Sequence, residues 1–374
     1  MVAKVPHQGG ATWAVLQYLL GFRGLGHEVC FIEPVEPADL QPAVAPLDRS
    51  RNADYFRSVM QEFGLERDAA LLLAGTETTV GVSYARLRET AAAGDVLINI
   101  SGTLRDPALF DPIPVRIYLD LDPVFNQLWH TEQIDMHFAG HTHFVTVGQA
   151  IGRPECDIPS CGLSWIPTLQ PIVLDHWPVA GPVEYDGLTT VANWRGYGSI
   201  QHGGVFYGQK AHALREFITL PRVTDERLIL ALSIHPGETR DLAALRDNGW
   251  ELLDPAVVAG TPARYRAFVG ASKGEFGVAK AGYVTGRCGW FSDRSVCYLA
   301  SGRPVLAQDT GFSQYIPCGA GLLSFSTCEE AAENITALRR DYAAHSRGAR
   351  ALAEEHFDAR KVLTRMLQRA GALS

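Results

Sequence analysis

Apolar positions along the chain follow two rhythms. From Trp13 to Phe22 the large residues recur three and four apart, interrupted by Gln17, which predicts a helix over residues 12–25. Gly26-His27-Glu28 ends it, and the apolar run Val29-Cys30-Phe31-Ile32 predicts a strand. Similar short β-branched runs recur at 96–100, 115–119, 144–147, 188–192, 228–232 and 304–307. Uninterrupted apolar strands of this kind belong to parallel sheets buried on both faces. Helical stretches at 209–220 and two more within 328–374 complete an α/β rhythm. Stretches 34–50 and 101–114, rich in Pro and Asp, read as loops. A turn at Pro6-His7-Gln8-Gly9-Gly10 precedes the first helix, with only Met1-Val2-Ala3-Lys4-Val5 before it. Either these residues are the first strand, central in a doubly wound sheet, or upstream residues supply that strand.

Residues 152–187 gather Gly152, Pro154, Pro159, Gly162, Pro167, Pro171, Pro178, Gly181 and Pro182, which marks an interdomain linker. The expected division is a first domain at 1–165, a linker at 166–187 and a second domain at 188–345, with a C-terminal helix at 346–374 packing back on the first domain. A chain of 374 residues, 47% hydrophobic and 20% charged, can fill a core in each half. A net charge of −8 argues against nucleic acid or a membrane surface as partner, so any polyanion must sit in a local pocket. Seven cysteines, an odd number without Cys-x-x-Cys spacing, fit reduced thiols in a cytoplasm. No apolar run approaches the roughly 18–20 residues that a membrane span requires.

Residues 285–312 carry the most chemistry. A turn with Gly286 and Gly289 leads to Ser292, a good N-cap, and a helix of about two turns that Gly302 ends. A short strand follows, then the polar loop Gln308-Asp309-Thr310-Gly311 at its carboxyl end. Exposed amides at a helix start beside such a loop can hold a phosphate next to a polyol, as a nucleotide-sugar site must. An ordinary loop–helix–strand unit has the same pattern.

Four landmarks carry a resemblance. They are Gln8-Gly9-Gly10 before a helix, Leu25-Gly26-His27-Glu28-Val29 leading into a strand, the 285–312 unit, and Gly321-Leu322-Leu323 followed by a helix opening with Glu329-Glu330. Together they resemble the GT-B glycosyltransferases, in particular a loose bacterial group that includes the spore-protein-like enzymes. The resemblance implies an α/β chain of two Rossmann-like domains facing a cleft, with C-terminal helices. It implies a hexosyltransferase-type enzyme that moves a sugar from a nucleotide-diphosphate sugar to a hydroxyl or amine of a small-molecule or glycan acceptor. No cofactor beyond the donor substrate and no essential metal are expected. A GT-B-fold sugar-nucleotide epimerase and a non-catalytic sugar-nucleotide binder are the alternatives. Arg287-Cys288-Gly289-Trp290-Phe291-Ser292 is similar to the plant-type His-Cys-Gly-Trp-Asn-Ser stretch, with Arg for His and Phe for Asn. The ribose-binding glutamate of that branch is missing, since Ser295, Val296 or Cys297 stands there. The paired glutamates of the retaining branch would fall at Gly289 and Cys297.

By that resemblance His7 is the general base, and an imidazole titrating near neutrality suits the task; an exposed loop histidine is the plain alternative. Asp122, at a strand's carboxyl end, is the second candidate base. Gly9 and Gly10 would let the backbone approach a sugar or phosphate, or simply make a tight turn. Ser292, Arg294 and Ser295 are the expected diphosphate ligands, joined by Arg287 as a permanent cation. Asp309 and Thr310 occupy the loop that faces the donor sugar in relatives of either branch, although an aspartate before glycine is also common in turns. Lys273 and Glu275, read as part of a polar loop, suit a diphosphate contact and a substitute ribose carboxylate. Asn193 and Arg195 follow the second domain's first strand, where family members contact phosphate or base. Asp135, His137, His141 and His143 are zinc-type ligands by residue type, but His141 and His143 alternate along an extended segment, so cleft lining is the stronger reading. Asp120-Leu121-Asp122 copies a metal motif of the unrelated GT-A fold, which lacks this two-domain pattern.

Overall fold

A computed structural model describes residues 1–373. In the second half six parallel strands form one sheet in the order Glu251–Leu253, Leu228–Ser233, Tyr185–Asn193, Ser272–Gly277, Val305–Gln308, Leu322–Phe325. Its first strand lies in the middle and the chain winds outward from it on both sides, the doubly wound order. A two-stranded hairpin, Ile200–His202 with Val205–Tyr207, turns through Gly203 and Gly204.

The first half has the same winding in two pieces. Phe31–Val35 pairs in parallel with Ala69–Leu73, which pairs antiparallel with Thr79–Gly81. Val96–Ile100, Val115–Asp120, His143–Thr146 and Trp165–Pro167 form a separate parallel sheet in that order. Residues 1–5 form no strand. The amides of Val2, Ala3 and Lys4 instead donate to the Glu33 carboxylate, each at 2.9 Å.

Several predicted elements shift. The strand expected at 29–32 is Phe31–Val35, because pairing begins where the Phe31 amide donates to the Asp68 carbonyl. The first helix, Gly9–Gly24, starts earlier than expected and takes in both glycines of the presumed loop. The expected loop at 101–114 holds a short helix, Pro107–Phe110, capped by Asp106. A helix at Arg51–Glu62, capped by Ser50, and the strand Ala69–Leu73 are additions to the predicted set. The 272–276 segment is no loop but the strand Ser272–Gly277 beside the centre of the second sheet. The tail folds into three α-helices rather than two, Cys328–Arg340, Tyr342–Leu352 and Ala359–Arg369, because Asp341 and Asp358 cap new starts.

The last of these helices lies against the first helix and the 115–120 strand, where Leu363 and Met366 pack with Phe22, Ile117 and Leu119. A Cβ on Gly21 would stand 2.5 Å from Leu363, so glycine sets that close approach. No described helix is long and apolar enough to cross a membrane.

Candidate active site

The helix Asp293–Ala300 begins where the strands Ser272–Gly277 and Val305–Gln308 end, next to the point where strand order reverses. Ser292 caps it, accepting from the Arg294 amide at 3.2 Å. Ser292, Arg294, Ser295, Gln308 and the backbone of Gly277–Ala279 line a small pocket that holds about 10 Å³, room for at most one water. Arg294 donates to Glu275, a fully buried carboxylate, and to the Val191 carbonyl at 3.2 Å. Burial opposes the charge on Arg294, but the Glu275 carboxylate outweighs it and holds the guanidinium firmly protonated. The second oxygen of Glu275 has no partner. Lys210, the first residue of the helix Lys210–Glu216, donates to the Val278 carbonyl beside the pocket. Burial, and then the nearby Arg294 charge, push its ammonium well below the usual lysine range. Three strand ends, a capped helix start and two half-buried basic side chains therefore meet at one place.

A second cluster bridges the two halves. Asp122 follows the strand Val115–Asp120, and Lys280 opens the helix Ala281–Thr285 of the other half. Lys280 reaches the Asp122 carboxylate at 3.1 Å and also contacts the hydroxyls of Tyr197 and Tyr283. Its ammonium lies 3.9 Å from the centre of the Tyr197 ring, a cation–π contact. Burial lowers the Lys280 pKa against the opposing pull of Asp122. Burial and the Asp122 charge together raise both phenols well above their ordinary value. Tyr283 donates to Asp122 as well, so this carboxylate is fully engaged.

Beneath it, Asp120 is buried and accepts from Asn126, Gln127, Thr146 and the Asp122 amide. Desolvation nevertheless raises its pKa to about 6. Val124 next to it has φ +78°, a conformation that β-branched residues adopt only under strain, which sites of function tolerate. A Cβ on Gly282 would stand 2.6 Å from the Phe125 ring, so the halves touch closely here.

His7 occupies a third place. It is exposed at φ +63°, with its ring edge-on to Tyr55 at 4.9 Å. It lines an open groove of about 370 Å³ with Arg51, Asp54, Glu62 and Thr261.

Of the residues expected to form one site, Ser292, Arg294 and Ser295 do line one pocket. Glu275 joins them through Arg294, from the strand rather than a loop. Lys273 does not: the register shift between Ser272 and Gly274 interrupts the alternation at the start of the strand, and Lys273 pairs with Glu226 at 2.8 Å and with Asp186. Arg195 is drawn to Glu238 at 2.5 Å, and Asn193 ends its strand exposed. Arg287 is exposed on a turn at φ +44° and does not line the pocket. Asp309 caps its own turn, accepting from the Gly311 amide at 2.8 Å and the Ser313 hydroxyl at 2.6 Å. Thr310 donates to the Trp290 carbonyl. Gly9 and Gly10 give no room to a ligand. A Cβ on Gly9 would meet the Thr261 carbonyl oxygen at 2.3 Å, and one on Gly10 the Tyr265 ring at 2.9 Å. Both glycines admit the second half of the chain, not a phosphate.

The histidines near 140 do not converge. His141 bonds Asn99 and meets the Tyr118 ring edge-on, His143 bonds Thr142, and His137 turns to Asp135. Lys210, Lys280, Tyr197 and Tyr283 were missed by sequence reasoning. One signal was available, since each lysine stands at a helix start, where the helix dipole disfavours a cation unless an anion is to be held there.

No protein-family model and no curated protein matches the chain. Solved structures do. HepE of Anabaena, in complex with UDP-glucose, aligns with a TM-score of 0.57 at 12% identity, covering 100% of this chain and 98% of that one. An alpha-glucosyltransferase in complex with UDP-glucose and DNA containing an abasic site aligns at 0.60 and 12% identity, covering 98% and 96%. A glycosyltransferase from Rickettsia africae aligns at 0.50 and 12% identity, covering 98% and 96%. These likenesses span both halves, and the fold of this chain is the GT-B fold of two Rossmann-like units.

Proposed function

We propose that this chain is a hexosyltransferase that takes a sugar from a nucleoside-diphosphate sugar and passes it to an acceptor hydroxyl or amine. The observation that carries the reading is the convergence of the Ser292-capped helix start with Arg294 and Lys210 at the carboxyl ends of the second sheet. Amide dipoles and two cations in a water-poor place stabilise the charge that develops on a departing diphosphate. Arg294, held in place by Glu275, is the permanent cation; Lys210, whose ammonium is destabilised by burial, gains charge stability when a dianion enters. The pocket must widen to admit a nucleotide, so donor binding goes with movement of the neighbouring loop or of the halves.

In the transfer step the acceptor oxygen or nitrogen bonds to the anomeric carbon. The carbon–oxygen bond to the diphosphate breaks, its electron pair leaves on the diphosphate, and the acceptor proton passes to a base. His7, exposed on the groove at the junction of the halves, fills that role better than Asp122, whose carboxylate is held by Lys280 and Tyr283.

A thermal-shift screen across UDP-, TDP-, GDP- and ADP-sugars tests the donor reading. One nucleotide class is expected to raise the melting temperature, and Lys210→Met is expected to remove the shift. No shift with any class would refute the reading. Acceptors for the turnover assay include DNA, because one similar enzyme is seen in complex with it. His7→Ala is expected to abolish acceptor-dependent turnover while the donor-induced shift stays.

A further inference from the structure

The hairpin Ile200–His202 with Val205–Tyr207 belongs by sequence to the second half, but it rests on the first. It leaves the carboxyl end of the strand Tyr185–Asn193 and returns into the helix Lys210–Glu216. Between these points it lies on the helix Phe125–Thr131, which follows the 115–120 strand of the first half. Ile200 and Tyr207, a cross-strand pair, are buried in the cluster that holds Val124, Phe125 and Leu128. Just before the hairpin, the Tyr197 ring meets Phe125 at 5.0 Å and Trp129 at 4.9 Å, both edge-on. His202 bonds the Glu132 carboxylate at 2.7 Å. The pair between, Gln201 and Phe206, is exposed. Its own half adds two side contacts, His212 beside Phe206 and Gly282 beside Tyr207.

Such a ribbon does not hold itself. Three residues a side make a two-stranded hairpin that is marginal at best in water, so its order comes from what it lies on. The chain leading into it is free to move. Gly203 and Gly204 have positive φ, as the tight turn requires. Gly196 and Gly198 do not. A Cβ on Gly198 would meet nothing within 4 Å, and one on Gly196 only the Gln209 side chain at 3.8 Å. Neither space nor φ calls for glycine there, and what the two supply is backbone freedom at the root of the ribbon.

Both ends of the ribbon are tied to the lysines described above. Gln209 donates its side-chain amide to the Gly198 carbonyl at 3.0 Å, and Lys210 is the next residue. The Gly208 carbonyl accepts from the Gly282 amide at 2.8 Å, in the helix that Lys280 opens, and Tyr197 contacts the Lys280 ammonium directly.

We infer that residues 196–208 form a strap that is ordered while the two halves are together and melts when they part, with Trp129 and Glu132 of the first half as the contacts that hold it. Parting the halves takes Phe125, Trp129 and Glu132 from under the ribbon at once, and the contacts left on its own half are too few to order it. Closing restores them. The strap then sets Gln209 against Gly198, and with it the start of the Lys210 helix. That last consequence bears on a nucleotide sugar only through the activity proposed above, whereas the folding of the strap stands without it.

Hydrogen exchange of the whole chain, followed by mass spectrometry, tests this with Trp129→Ala, Trp129→Phe and Glu132→Gln. Trp129→Ala is expected to speed exchange across 196–208 by about tenfold or more, and Glu132→Gln by a smaller factor. Trp129→Phe keeps a ring beside Tyr197 and should stay near wild type. The strands 228–233 and 305–308 should be unaltered in all three, which separates release of the strap from loss of the fold. Unaltered exchange at 196–208 in both Trp129→Ala and Glu132→Gln overturns the inference, and so does fast exchange there in the wild-type chain. Faster exchange shared equally by 228–233 overturns it too, because the ribbon then melts with the sheet and not by itself. The donor-induced thermal shift is read separately: its absence with every nucleotide sugar refutes the transferase reading and leaves the exchange result standing.

Discussion

The two walls of the cleft are built on different terms. In the second half, Glu275 stands on a strand of one continuous six-stranded sheet and pairs with Arg294 of the adjoining helix Asp293–Ala300. In the first half the sheet is split, Asp122 finds its partners across the cleft, and His7 stands on an exposed turn. The first arrangement is preorganised by its own strands. The second takes its order from contacts with the other half and from the last helix. On the proposed transferase reading, one wall stays rigid and the other responds to what binds.

The sharpest way to break that contrast is Arg294→Ala. It leaves the Glu275 charge buried without a partner, so a loss of about 3–5 kcal/mol is expected by chemical denaturation, with loss of the donor-induced thermal shift. An unchanged midpoint would show that the wall is not held by this pair.

Asp120, in the other wall, gives a pH signature. Its folded pKa of about 6 lies above the 3.8 of an ordinary aspartate, so between those values the folded state holds the extra proton. The stabilisation is fully present below the unfolded value and is lost as pH rises through about 6. The stability difference between wild type and Asp120→Asn should therefore drift against wild type by on the order of 3 kcal/mol from pH 4 to pH 7. A flat difference would remove the desolvation argument.

Gly9→Ala drives a methyl group into the Thr261 and Ala259 carbonyls, and about 1–3 kcal/mol of destabilisation is expected in a urea titration. No loss there would mean that the first helix is not tightly seated against the other half. The smallest effect belongs to Asp122→Asn, about 1 kcal/mol or less because the pair with Lys280 is partly exposed. Its more telling readout is a larger radius of gyration by small-angle scattering. An unaltered radius would make this cluster a passive contact rather than one that holds the halves together.

Much of the second half was legible in the chain. The 188–192, 228–232 and 304–307 runs, the Ser292 cap and the Gly302 stop all lie where periodicity and capping chemistry place them, because each depends on neighbours within a few residues. The strand at 272–277 was not, since Lys-Gly-Glu looks like a turn until the sheet around it is known. Its Lys273 and Glu275 then go to opposite ends of the argument, one to Glu226 and the other to Arg294. Asp309 reads locally as a turn cap or as a sugar ligand, and only its bonds to Gly311 and Ser313 decide for the turn.

The sequence by itself determined the alternation of short buried strands with amphipathic helices, the GT-B resemblance and the place of the capped helix in the second half. These rest on local periodicity and backbone preference. The tertiary structure alone decided which charges meet. Arg294 with Glu275 are 19 residues apart, Lys280 with Asp122 are 158 apart, and no short-range rule couples either pair. It also decided what the glycines at 9 and 10 are for, because the carbonyls and the ring they admit lie some 250 residues along the chain, at Ala259, Thr261 and Tyr265. Burial supplies the physical reason in each case: a charge or a missing side chain acquires its role only from what the folded chain packs against it.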